Sequence, residues 1–301
     1  MIATVNEDAN SSIYTITPGA TAAAQVRHYR YSRPLPHKGG TDAISIYRGQ
    51  VLISASAPGT TGKPAPQPSY PAIYVVTFDR KAHVARVSGL FSDEAMAVVA
   101  NAGSGHGKKV RLGLTDPDSN EVVPSFAPRF AGAFMVTSQG DREKEQIFVR
   151  PGGGSLAGQI SVLRLTQSVD DTAWVRSRAG RLYGSDDTSD AVDEVSGDFA
   201  SHGVLVAVTP CDAANAPANC PGRGFPANYL GSLNPATGRI SQVPLSGPNY
   251  QPKGLVFVSP GWSVPIGQPP GRRVADHGNG SARFGSARFG SARPGPCRLS
   301  W

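Results

Sequence analysis

The sequence predicts an all-β protein on three observations: a composition rich in turn formers, short strand-like apolar runs between those turns, and recurrence of the same strand–turn–strand units along the chain. Of 301 residues, 35 are Gly and 26 are Pro, together about a fifth of the chain, and charged residues make up only 17%. Gly and Pro interrupt helices and close tight turns, so this composition suits many short strands. A chain of this length can bury a substantial core. It holds no apolar run of the roughly 18 residues that a membrane-spanning helix needs. Its first residues, Met1 to Glu7, lack the basic and apolar segments of a signal peptide.

Three kinds of unit recur. The first is an acidic turn, at residues 6–13, 116–122 and 186–192, with Asn or Asp at its first and fifth positions and a branched aliphatic residue soon after. Asn and Asp tolerate left-handed backbone and bond their own main chain, so each copy predicts a hairpin turn. The second unit is a pair of strands around a Gly-containing turn, at 42–54 and again at 171–175 with 180–185. The third is a hairpin, at 74–79 returning through 84–87 and at 229–234 returning through 240–243; in the latter, Pro235 starts the turn and Gly238 supplies positive φ. Residues 134–138, 146–149 and 160–165 add three strands, and 254–258 reads as the opening strand of a further unit.

Taken together, the Gly-turn strand pairs, the Leu233-Asn234-Pro235-Ala236-Thr237-Gly238 hairpin and the Gly254-Leu255-Val256-Phe257 opener resemble bacterial β-propellers of the NHL and YVTN type. They also look like exported propeller-like proteins of actinobacteria. The resemblance spans residues 1–258 and implies a β-propeller with about four to six visible blades, an ordinary sandwich being the alternative. It gives a propeller domain at 1–260 followed by a tail. Met1 falls on a strand-like stretch, so the reading expects a chain that begins inside a blade. The spacing of the repeats is irregular, which leaves ring closure open.

Residues 261–301 change character. Gly-Ser-Ala-Arg recurs at 280, 285 and 290, and a five-residue period of this composition builds no apolar face, so disorder is expected. A passive tail or a shifted reading frame both fit that pattern. Six Arg and one Asp in this segment account for +5 of the net charge of +7. The small remainder predicts a body that does not bind nucleic acid. Of the three cysteines, Cys211 and Cys220 bracket a short loop with no His nearby, a poor zinc site that suits a local disulfide and an extracellular or cell-envelope location.

Candidate chemistry is sparse. Asp116, Asp118 and Asn120 have the spacing that opens a calcium loop, but Glu121 and Ala127 stand where an EF-hand needs Gly and Glu. Only a looser calcium loop survives. Residues 103–109 are Gly-rich but lack the Walker pattern. The six histidines form no metal-binding pair, and no Gly-x-Ser-x-Gly elbow exists, so no catalytic residue is assigned. Asp42, Asp170 and Asp171 sit where inner strands would begin. In lactonase-like propellers that region holds a divalent cation, so these residues join Asp116, Asp118 and Asn120 as candidate ligands, with calcium as the candidate ion; capping of strand-entry turns is the competing role. The reading favours a binding or interaction module that takes a protein or small molecule at the propeller mouth. A metal-dependent, lactonase-like hydrolase is the alternative.

Overall fold

The computed structural model describes residues 1–5, 10–21, 25–59, 69–140, 144–186, 189–211, 228–245 and 250–261. The tail from 262 onward lies outside them, as does the first acidic repeat at 6–9. Among the described residues the chain is all-β, with twenty strands in four sheets and one short 3-10 turn at Pro36–Lys38.

The first sheet comprises β1 (Ile2–Val5), β2 (Ser12–Ile16), β3 (Val26–Tyr31), β4 (Thr41–Tyr47), β5 (Gln50–Ala55), β6 (Pro71–Asp79) and β7 (Val84–Ser92), in the order β1-β2-β3-β7-β6-β5-β4. Strands β4 to β7 form an antiparallel meander, and β3 joins β7 in parallel. The β4–β5 turn places Arg48 at φ 49° and Gly49 at φ 78°, the pair of positive φ angles that lets a two-residue loop follow the strand twist. The sheet curls towards closure. Ser11 Oγ accepts the Thr41 N–H (3.0 Å), and the Tyr31 and Thr41 hydroxyls meet at 2.9 Å. Ile13, Tyr29, Ile53, Tyr74, Val76 and Ala85 fill the interior of this nearly closed barrel.

The second sheet holds β8 (Met96–Val99), β9 (Lys109–Arg111), β10 (Pro117–Val122), β11 (Phe134–Ser138), β12 (Glu145–Gly152) and β13 (Ser155–Arg164), in the order β10-β11-β12-β13-β8-β9. It repeats the plan of the first: a meander from β10 to β13, with β8 added in parallel to β13. After β14 (Val169–Trp174) the chain makes a hairpin, β15 (Arg181–Asp186) and β16 (Ala191–Ser196). It then continues through β17 (Val204–Val208), β18 (Tyr229–Leu233), β19 (Ile240–Gln242) and β20 (Leu255–Val258). The third sheet is β14-β17-β18-β19 and the fourth β16-β15-β20.

The sheets stack in chain order because their strands are apolar on both faces. On β11 and β12, Phe134, Val136, Ile147 and Val149 pack with Tyr47, Leu52 and Ile73 of the first sheet, while Met135 and Phe148 pack with Val169, Val204 and Val206 of the third. On β17, Leu205 turns the other way, to Leu182, Tyr250 and Phe257. Period-two alternation therefore feeds two interfaces at once. Face-to-face stacking of four-stranded meanders is compatible with propeller blades.

Two expectations are corrected. Residues 116–122 are not a turn: Pro117–Val122 is the first strand of the second meander, since burial between two neighbours overrides the turn preference of Asp and Asn. The Asp186 copy does close a hairpin, with the Ser189 N–H donating to Asp186 Oδ1 (3.1 Å). The strands at 171–175 and 180–185 are not partners either. β14 pairs with β17, and β15 pairs with β16 and β20, because the β15–β16 hairpin leaves the third sheet for the fourth.

The Asn234–Gly238 turn docks on the second sheet. Asn101 Nδ2 donates to the carbonyls of Arg164 (2.8 Å) and Thr237 (2.6 Å), and the Thr166 N–H donates to Gly238 O (3.1 Å). Gly238 has φ 76°, and a β-carbon there would strike Arg164 O. Gly238→Ala is expected to destabilise the chain by at least about 2 kcal/mol, read as a lowered denaturant midpoint. An unchanged midpoint would contradict this docking.

Candidate functional site

The first strands of the first three sheets' four-stranded runs, β4, β10 and β14, carry or directly follow the acidic residues singled out from the sequence. Asp42 is the second residue of β4, Asp116 directly precedes β10, Asp118 and Asn120 lie on β10, and Asp170 and Asp171 lie on β14. Hydroxyl groups tie these strands side by side. Ser54 Oγ accepts the Ala43 N–H and donates to Asp118 O, both at 3.0 Å. Ser45 Oγ donates to Asn120 O (2.8 Å) and also meets Asn120 Oδ1. On the other side, Ser119 Oγ donates to Asp170 O (2.7 Å).

The carboxyl groups divide into two sets. Asp118 gathers the first: its side chain hydrogen-bonds that of Asp170, and the charges of Asp170, Asp42 and Asp116 act on it. Burial, then the Asp170 hydrogen bond, then these charges push Asp118 up to about 9. Like charges facing one another in a low-dielectric site disfavour ionisation, so the protonated form of Asp118 is favoured. Lys253, just before β20, places Nζ 3.2 Å from Asp170 Oδ2 and supplies the balancing charge.

The second set faces β20. Asp171 accepts N–H groups from Thr172 (2.8 Å) and Leu255 (2.7 Å). Burial raises it to about 6, opposed by these N–H donors and reinforced by the Asp170 charge. Glu121 receives the Trp174 indole N–H (2.6 Å) and is pushed up to about 8 by burial, the indole pulling it down and the Asp171 charge adding to the rise.

The charges of Asp42, Asp116 and Asp170 thus act on Asp118, Asp171 accepts the Leu255 N–H, and Asn120 is held by Ser45. Among the described residues, no three His, Cys, Asp or Glu side chains are disposed to hold a metal ion. Residues 117–120 of the looser calcium loop lie on strand β10. Sequence reasoning missed Glu121, Trp174 and Lys253. Glu121 was weighed only as an EF-hand position, though strand alternation from Asn120 would have turned it towards the neighbouring first strand. Cys211 is disulfide-bonded; Cys220, its expected partner, lies outside the described residues.

No model of a known protein family matches the chain, and comparison with curated proteins gives no match either.

The raised acids set a sign for pH dependence. Between the usual carboxylate range and about 9 the folded state holds the Asp118 proton that the unfolded state has released, so stability falls as pH rises through that window. Glu121 acts in the same direction up to about 8. Thermal melts across this range are expected to show a declining Tm, and Asp118→Asn to flatten the decline and raise Tm at its alkaline end. An unchanged slope in the variant would contradict the assignment.

Proposed function

We propose that the chain is a non-enzymatic binding module of propeller type, resembling the NHL and YVTN propellers, that works at the cell envelope or outside the cell. The observation that carries this reading is that the central carboxyl groups are engaged in holding first strands to one another. Asp118 binds Asp170, Asp170 meets Lys253, Asp171 binds the Leu255 main chain, and Glu121 binds Trp174. Asp42 and Asp116 also interact within the protein. Groups spent on strand-to-strand contacts fit a structural hub better than a cation-binding, water-activating centre. The disulfide at Cys211 supports an oxidising compartment.

The metal-dependent hydrolase keeps one observation in its favour, the charges of Asp42, Asp116 and Asp170 acting on Asp118. Calcium separates the two readings, because an ion that binds only the folded state raises its melting temperature. The binding-module reading predicts the same Tm with and without millimolar calcium. A rise in Tm that Asp118→Asn and Asp170→Asn abolish would establish the cation site and overturn it. For location, peptide mapping without reductant is expected to link Cys211 to Cys220; a free Cys211 thiol would count against export.

A further inference from the structure

Away from the central strands, the small net charge of the body hides a local concentration of cations. β3 reads Val26-Arg27-His28-Tyr29-Arg30-Tyr31, with Tyr29 buried and Arg27, His28 and Arg30 exposed. Alternation places Val26, His28 and Arg30 on the sheet face opposite Tyr29, while the exposed Arg27, on Tyr29's side of the strand, still lines a cleft with His28 and Arg30. The antiparallel register sets Tyr14 of β2 beside His28, and the two rings stack at 4.6 Å with 22° between their planes. The turn from β6 to β7 brings in His83, whose Nδ1 lies 3.4 Å from His28 O and whose carbonyl accepts the Arg30 N–H (3.2 Å).

Two clefts open on this face and share His28 and Arg30. One, of about 580 Å³, is lined by Val26, Arg27, His28, Arg30 and His83. The other, of about 450 Å³, includes Tyr14, Tyr31 and Arg33. No carboxylate lines either cleft among the described residues. Asp79, at the end of β6 before the turn that carries His83, is held by Arg86 (2.9 Å) and by the Ala82 N–H (3.0 Å). Arg27 and Arg30 are exposed, and among the described residues neither cleft sets a carboxylate against them.

We infer that the paired clefts at β3 bind a phosphate ester with a ring-bearing body: Arg27 and Arg30 take the oxyanion, and the Tyr14–His28 pair takes the ring. Guanidinium groups match phosphate geometry through paired N–H donors. Stacked aromatic rings offer a flat apolar surface beside the charge. Each cleft lies in the size range of small-molecule sites, which favours a compact ligand over a polymer. The site is separate from the carboxyl hub, so the inference stands or falls independently of how that hub is read.

The test uses the full chain and three probes: phenyl phosphate, inorganic phosphate and a short single-stranded oligonucleotide. Binding is followed by calorimetry and by the ring-proton NMR signals of His28 and His83. Saturable binding of phenyl phosphate, several-fold tighter than inorganic phosphate and shifting both histidines, is the expected result. R27Q/R30Q is expected to weaken it at least about ten-fold, the scale of a lost charge-assisted pair. Both residues are exposed, so the variant should keep the wild-type Tm; Tyr14→Leu, which leaves both arginines, should remove the preference for phenyl phosphate. Shifts that grow linearly without saturation, equal affinity for the two phosphates, or affinity unchanged in R27Q/R30Q would each overturn the inference. So would oligonucleotide binding that is much tighter and falls steeply with salt, which marks a polymer-binding surface instead.

Discussion

The seating of β10 between β4 and β14 is the constraint on which the first three sheets depend. It buries Asp118 beside Asp170, and burial together with the neighbouring acids favours the protonated form of Asp118. Around it, the Ser119 hydroxyl reaches the Asp170 carbonyl and Lys253 brings β20 alongside Asp170. Ser45 and Ser54 fasten the same strand to the first sheet. The apolar faces supply most of the stabilisation, since burial scales with area and has no direction. They leave the stacked sheets free to slide, and the directional contacts at the first strands fix where each sheet stops.

Much of the β-architecture was legible because it is written in local patterns. The apolar run from Phe134 to Val136 and the hairpin closed by Asn234 and Gly238 both appear where the residues predict them. What failed were the places where distant partners decide. Asp116, Asp118 and Asn120 carry turn chemistry, yet burial between two other first strands draws Pro117–Val122 out as a strand. β14 skips the next strand in the chain to pair with β17, a choice made by the matching of Trp174 with Val204 and Ala173 with Leu205 that no local window contains.

The candidate site shows the same division. Acidic residues at strand starts stood out in the sequence, and the charges of Asp42, Asp116 and Asp170 act on Asp118. Their purpose was not legible. It depends on Lys253 and Leu255, more than 80 residues further along the chain, and on an indole that reaches Glu121 from the neighbouring strand. The cationic face was obscured for a different reason. A charge balance taken over the whole body averages Arg27 and Arg30 against acids that lie elsewhere, whereas the register of β2 on β3 concentrates them beside Tyr14. The molecule thus keeps its buried acids at the centre, where they set strand positions, and leaves exposed cations on the first sheet, where a ligand can reach them.

The central claim, a carboxyl proton retained between first strands, is most directly tested by infrared spectroscopy of the folded chain at neutral pH. The expected spectrum holds a carbonyl stretch of a protonated carboxylic acid that persists at neutral pH and diminishes in Asp118→Asn. A spectrum with only ionised carboxylate bands at neutral pH, or one that the substitution leaves unchanged, would contradict it.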